Sequence, residues 1–354
     1  MAKPNQKLIA EKLKLSRTTV SRCFTNHPKI NPETRAKVFQ LAAEMGFSYS
    51  QQRNSTGQRE DSERNTIAVI VGIDRSVKDA VKTAGNVLKG ISEKAANAGL
   101  EIEVHYINPA DFNPQPRSRK IIKNVSCTNW KGVVLIYNFS EAAVTNVMAK
   151  FPTVSVLEDY QSIDVDCISQ DQVRGISKLM EHLHDIGHHR IGFMSWKYEV
   201  RTPWVERRLG AYVENLFRFG IELDPNLIIN LQKDENFSLS QLVDKVADRI
   251  QSGVTAWVCA ADHQAYHLRN ELEKRGIRVP EDCSITGYDG IEPPEGADQI
   301  TTIRMPFKDM GHSAISSLIR KMGNPTAQRH NVQISGELLI DKSTAAPPQL
   351  ASSV

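Results

Sequence analysis

Over the first 47 positions the apolar residues come singly or in groups of two or three, at helical spacing, and no longer run forms. In QKLIAEKLK (6–14), Leu8, Ile9 and Leu13 share one helical face, and Asn5 stands where an N-cap belongs. Leu15-Ser16 break that pattern, and Ser16 can cap a second helix that starts at Arg17 and turns Val20 and Phe24 inward. NPETRAKVFQLAAEMGF (31–47) predicts a third helix. Asn31 is its N-cap, Pro32 takes the first position, Glu33 faces the helix dipole, and Val38, Leu41, Ala42 and Met45 repeat at helical spacing until Gly46. Three short helices, the first two joined by a tight turn, predict a helix-turn-helix over residues 1–47.

SYSQQRNSTGQREDSERN (48–65) then contains no aliphatic residue, so it cannot bury itself and reads as a polar linker. Beyond it the period changes. Short, wholly apolar runs such as IAVIVG (67–72) and GVVLIY (132–137) predict buried parallel strands. EIEVHY (101–106), TVSVL (153–157), DCIS (166–169), RIGFM (190–194), TAWVCA (255–260) and CSITGY (283–288) continue the series. Helical patterns fall between them: one through Val81, Ala84, Leu88, Ile91 and Ala95, others near 140–150, 172–186, 205–219, 240–251, 263–275 and 307–322. This predicts an α/β domain with parallel sheets over residues 66–344, long enough for two lobes, followed by a tail at 345–354.

Charge sharpens the division. Of 354 residues with net charge +3, positions 1–50 hold nine Lys/Arg against three acids, so the remainder is acidic and a polyanion should dock at the amino end. LSRTTVSRCFTNHP (15–28) has no acid at all, which suits a face turned to phosphate. The five cysteines are scattered, without a C-x-x-C pair, as expected in a reducing cytosol. No apolar run is long enough to span a bilayer, and MAKPNQKLIAEK is broken by charge before a secretory core could form, so a cytoplasmic protein without a membrane partner is expected.

These stretches resemble the LacI/GalR family of bacterial transcription regulators. LSRTTVSR (15–22) followed by INPETRAKV (30–38) is similar to the family's opening V-S-x-x-T-V-S-R and V-S-x-x-T-R-x-x-V. ISQDQVRGISKLMEHLHDIGHHRIGFM (168–194) resembles its D-x-x-x-G…H-L…G-H-x-x-I block, and RRLGAY (207–212) its R-x-x-G-[FY]. AADHQA (260–265), GIRVPEDCSITGYDG (276–290) and ITTIRMPFKDMG (300–311) supply further blocks in family order.

The resemblance implies that the second helix lies in the major groove of a pseudo-palindromic operator in double-stranded DNA, read by a homodimer. Arg17, Thr18 and Arg22 are then the base-reading residues, and Ser16, Thr19, Ser21, Asn26, Lys29 and Thr34 the phosphate ligands. Thr25 and Cys23 depart from the family's usual Asn and branched aliphatic residue. The linker lacks the apolar wedge of the family's hinge helix, offering Thr56 and Gly57 there and Tyr49 as its one large side chain, so weak DNA kinking is expected.

For the second domain the resemblance implies a periplasmic-binding-protein-like clamshell that closes over a small-molecule effector, a sugar or related metabolite. Arg207 and Asp289 match positions that bond ligand hydroxyls. Asp74 and Arg75, after the first strand, and Glu158, after another, are further candidates, and Trp204 offers a stacking face. Ala261 stands where many relatives have a ligand-binding Asn, which points away from a typical hexose. The histidines of HLHDIGHHR (182–190) form no recognised ligand set, and neither metal nor cofactor is expected. The competing class is a carbohydrate- or nucleotide-processing enzyme with an accessory DNA-binding domain. No Walker A loop, G-x-S-x-G or H-E-x-x-H supports it, so a regulator rather than an enzyme is expected.

Overall fold

The computed structural model describes residues 5–24, 30–45, 65–72, 78–109, 112, 130–198, 202–231 and 237–348. It opens with α1 (Gln6–Lys12), α2 (Arg17–Phe24) and α3 (Pro32–Glu44). The Asn5 side chain accepts the Leu8 N–H at 3.0 Å, and the Ser16 hydroxyl accepts the Thr19 N–H at 2.9 Å, so both caps occupy their expected places. Between the first two helices Lys14 adopts φ +54°, and the Leu15 N–H reaches back to the Ala10 carbonyl at 2.9 Å. That closes the tight turn. Ile9, Ala10, Val20, Cys23, Val38 and Ala42 form the buried core of the three helices, rimmed by Leu13, Leu15, Ile30, Leu41 and Met45. Cys23 therefore fills an inward position as a small apolar residue, and burial pushes its thiol pKa up to about 11. The side chain of Phe24 lies outside what is described.

The chain divides into two compact units, Met1–Ser169 with Pro306–Ile334, and Gln170–Met305 with Ser335–Val354. The first unit holds a six-stranded sheet in the order β11-β5-β4-β3-β1-β2. Its strands are β1 (Thr66–Gly72), β2 (Glu101–Ile107), β3 (Gly132–Ile136), β4 (Thr153–Val156), β5 (Asp166–Gln170) and β11 (Asn331–Ile334). The pairings among β1 to β5 are parallel, with Ile67 opposite both Ile102 and Gly132. β3, β4 and β5 are buried at every position, as strands covered on both faces must be. The helices of this unit are α4 (Lys78–Asn97), α5 (Glu141–Met148) and α10 (Phe307–Gly323). α3 lies alongside α4, and α10 packs on α4 so closely that a Cβ at Gly311 would collide with the Val87 carbonyl.

The second unit has a parallel sheet in the order β7-β6-β8-β9: β7 (Ile228–Ile229), β6 (Ile191–Met194), β8 (Ala256–Cys259) and β9 (Ser284–Thr286). Its helices are α6 (Gln172–Asp185), α7 (Pro203–Arg218), α8 (Leu239–Gln251) and α9 (Asp262–Glu273). Trp257, Val243, Val246, Leu268, Leu272 and Ile285 lie in its core. An antiparallel pair, β10 (Thr302–Arg304) with β12 (Glu337–Leu339), was not expected from the pattern. At three residues each, these strands are too short to show a period.

The expected tail boundary at 345 needs correcting. Ser284 and His188 bond Ala345, and the Ser343 hydroxyl, fully buried, donates to the Ile285 carbonyl. The segment is thus tied to the sheet edge beyond 344.

Candidate functional site

In α2 the apolar positions Val20 and Cys23 turn inward, so the helix presents Arg17, Thr18 and Arg22 to solvent as one exposed set. Arg17 and Thr18 occupy its first turn and Arg22 its last. Ser16 is exposed, and Thr19, Ser21 and Thr34 are half-buried. The Ser16 and Thr19 hydroxyls also bond each other at 2.8 Å, so both are oriented by the helix start. Asn26, Lys29, Asp74 and Arg75 lie outside the described residues, as does all of the linker before Asn65, and with it the hinge expectation.

In the second unit the strand ends of the parallel sheet gather a polar cluster, where open α/β sheets place ligands. Its centre is an arginine, but Arg208 rather than Arg207. Arg208 is only 2% exposed. Its Nε donates to Gln172 Oε1 at 2.6 Å, and one terminal nitrogen donates to the Ala260 carbonyl. The other donates to Gln170 Oε1 at 2.7 Å and to Asp289 Oδ1 at 3.1 Å. The guanidinium lies 3.6 Å from the Tyr288 ring centroid and 4.8 Å from that of Trp204.

Arg207 is half-buried, about 100° further round the helix by ordinary α-helical geometry. The correction has a plain cause. Tyr212 is buried, its hydroxyl donating to the Ile191 carbonyl at 2.8 Å, and so it is the aromatic of R-x-x-G-[FY]. Counting back from Tyr212 puts the arginine at 208 and Ala211 in the glycine position; taking Gly210 as the motif's glycine gives Arg207 instead, one residue out of register.

Asp289 is the accessible end of this cluster, its side chain 23% exposed. It takes φ +116°, which costs a non-glycine residue on the order of 1–3 kcal/mol. The backbone is held there from β10: the Asp289 N–H donates to the Ile303 carbonyl at 2.9 Å, and the Met305 N–H to the Asp289 carbonyl at 3.1 Å. With one oxygen held by Arg208, the carboxylate has acceptor capacity left for a ligand hydroxyl. Trp204, near the start of α7, sets its ring 5.7 Å from that of Tyr198. Tyr198 in turn bonds His263 Nε2 at 3.2 Å and accepts from Gln264 Nε2 at 2.8 Å. Gln264 is buried with its carbonyl oxygen unpaired. Gln170, Gln172, Tyr198, Gln264 and Tyr288 were missed in the sequence. Only Tyr288 carried a signal, as the neighbour of Asp289.

The remaining candidates resolve separately. Glu158 is buried just past β4 in the first unit, its backbone carbonyl accepting the Ser155 hydroxyl at 2.9 Å. Asp171 caps α6 through the Arg174 N–H at 3.0 Å and accepts from Ser335. His182 bonds Thr344, and His188 bonds Thr255, Ser284 and Ala345. Burial lowers the His188 pKa to about 4. Both histidines serve the carboxyl-terminal segment. Among the described residues no group of three or more His, Cys, Asp or Glu could hold a metal ion, and no helix is long and apolar enough to cross a membrane.

Comparison with known proteins finds two parts in the same order. Residues 7–50 match the family of bacterial regulatory proteins, lacI family, and residues 180–344 a periplasmic binding protein-like domain. The HTH-type transcriptional repressor CytR of Escherichia coli (strain K12) is 28% identical over 345 residues, covering 96% of each chain. Two solved structures share the fold. One is a complex of the transcriptional regulator CelR with cellobiose (TM-score 0.64, 20% identity, 96% of this chain and 99% of that one). The other is the lac repressor dimer bound to operator and the anti-inducer ONPF (TM-score 0.64, 19% identity, 98% and 100%). The chain therefore carries the amino-terminal helix-turn-helix domain of the lacI family of bacterial regulatory proteins, followed by a periplasmic binding protein-like α/β domain with parallel sheets.

Proposed function

We propose that the chain is a transcriptional repressor of the cytoplasm, not an enzyme, which as a homodimer reads a pseudo-palindromic operator and answers to a small polyhydroxylated effector. The observation that carries this is the split of α2: Val20 and Cys23 inside, Arg17, Thr18 and Arg22 exposed. An arginine here can bond guanine O6 and N7 together, and Ser16, Thr19, Ser21, Asn26, Lys29 and Thr34 hold the flanking phosphates. Supporting the reading are the CytR relative, a repressor by name, and the lac repressor dimer on its operator.

The effector is bound through Asp289, with Arg208 fixing the carboxylate from beneath and Trp204 lending an apolar face. The cellobiose carried by CelR supports a polyhydroxylated ligand. Asp74, Arg75 and Glu158 belong to the first unit and stay candidates there.

The test is selection of bound duplexes from genomic fragments, followed by fluorescence anisotropy at 50 and 200 mM salt. Affinity should fall steeply with salt. Arg17→Ala and Arg22→Ala should each cost about 1–3 kcal/mol and relax base preference at one position of each half-site. Unchanged site preference in both variants would overturn the assignment. Screening pentoses, hexoses, disaccharides and ribonucleosides for release of the selected duplex identifies the effector class. Asp289→Asn should then weaken the response.

A further inference from the structure

Behind Asp289 lies a second carboxylate that neither the sequence reading nor the effector assignment uses. Asp262, the first residue of α9, is fully buried. One of its oxygens accepts the Ile291 N–H at 2.8 Å, and the other accepts the Thr302 hydroxyl at 2.6 Å. The Gly290 N–H is directed at it as well. The Asp262 N–H donates to the Tyr288 carbonyl at 2.9 Å. The carboxyl sits so close beneath Gly287 that a Cβ there would collide with it. The loop carrying Asp289 is thus bonded to Asp262 on both sides of Asp289.

We propose that Asp262 is the positioning residue for Asp289: from inside the unit it clamps the backbone at 288 and 290–291 and so keeps Asp289 in the left-handed conformation that presents its carboxylate. The proposal rests on reading Asp289 as the effector acceptor, but the clamp itself is independent of any effector. A positive φ at a non-glycine residue persists only where the surroundings over-determine it. Here β10 holds residue 289 itself and Asp262 holds both flanks.

The clamp is also coupled electrically to what it holds. Burial, and then the like charge of Asp289, push the Asp262 pKa up to about 7. Around it, β8 contributes Cys259 and α9 itself Tyr266, both kept neutral by burial at that pH. The loop contributes Asp289, and β10 the uncharged Thr302. Arg208, from α7, reaches Asp289 and the Ala260 carbonyl, while Arg304 of β10 pairs with Glu337. Proton uptake by Asp262 and the charge on Asp289 must therefore influence one another.

The experiment uses the full-length protein labelled with 15N-isoleucine, following the Ile291 amide resonance from pH 5.5 to 8.5, with hydrogen exchange at 290–291 as a second readout. The wild type should titrate with a midpoint near 7. Asp262→Asn should abolish that titration and cut protection of Gly290 and Ile291 about tenfold or more, the loss of charge-assisted bonds. Asp289→Asn should move the midpoint down by removing a like charge, and Thr302→Val should move it up by removing a donor. A residue that merely filled space would leave those midpoints alone. A flat Ile291 resonance in the wild type, a titration surviving Asp262→Asn, or a midpoint indifferent to Asp289→Asn would each overturn the clamp. Should Asp262→Asn fail to fold, the other two variants still decide. An effector response untouched by Asp289→Asn, with the clamp intact, would instead sink the effector assignment alone.

Discussion

Asp166 in the first unit and Asp262 in the second are both sealed from solvent, and their surroundings treat them in opposite ways. Asp166 is met by cations. Arg320 bonds it, Lys321 approaches to 3.5 Å, the Ser317 hydroxyl donates at 2.7 Å and the His330 N–H at 3.0 Å. Burial alone would raise its pKa, but these partners outweigh burial and hold it below the ordinary carboxylate value. Asp262 receives neutral donors and faces another carboxylate, so burial wins and its pKa rises. Burial by itself therefore says little about a charge; the partner decides. The paired aspartate staples the returning segment 324–334 to β5 at the sheet edge. The unpaired one lies behind the candidate site, where a perturbed carboxyl is informative.

The sharpest way to break this contrast is Asp166→Ala. It leaves two cations facing an empty carboxylate position and should cost about 3–5 kcal/mol, read as a lowered urea midpoint. Sparing stability there would mean that the ion pairs contribute nothing.

Next come the pH slopes, which have opposite signs. Asp166, depressed in the folded state, contributes stability that is present above the unfolded carboxylate pKa of about 3.9 and lost as pH falls through its lower folded value. Asp262, raised to about 7, holds a proton that the unfolded chain sheds near 4. Its contribution therefore falls as pH rises from about 4 to about 7, by at most about 1.4 kcal/mol per pH unit. Asp262→Asn should flatten that limb in urea titrations across pH 5 to 8 and leave the acid limb in place.

The smallest effect belongs to Arg207→Ala: half-buried and outside the bonds made by Arg208, it should cost no more than about 1 kcal/mol. Arg208→Ala, its neighbour, strips donors from Gln170, Gln172 and Ala260 and should cost about 2–4 kcal/mol. Equal effects in the two variants would mean that Arg208 does not organise the cluster.

Much of the architecture is legible in the sequence. Ser16 and Asn5 cap where they should because capping is a contact three residues long. β1 and β3 showed themselves as wholly apolar runs, since a strand covered on both faces needs no polar side, whereas the equally buried β4 and β5 carry Thr153, Ser155, Asp166, Ser169 and Gln170 and were less plain. Val20 of α2 reads as inward in the sequence and lies in the core, whereas Cys23 beside it is assigned there only by the structure.

Other features had no local sign. Two adjacent arginines look alike in a motif, and only the burial of Tyr212 separates Arg208 from Arg207. The strands β10 and β12 are too short to carry a period and pair across more than thirty residues. Gln170 and Gln172 entered the site through bonds to an arginine 36 or more positions away.

From its sequence alone, then, the protein was committed to its caps, its helical faces, its buried strands and the cationic character of its first fifty residues, because each of these is settled within a few neighbouring positions. Which arginine meets Asp289, why Asp262 faces that loop without a cation, and how the chain is shared between its two units were left to the tertiary structure. Those outcomes are contacts between residues far apart in the chain, and a buried charge takes its properties from whatever the fold brings beside it.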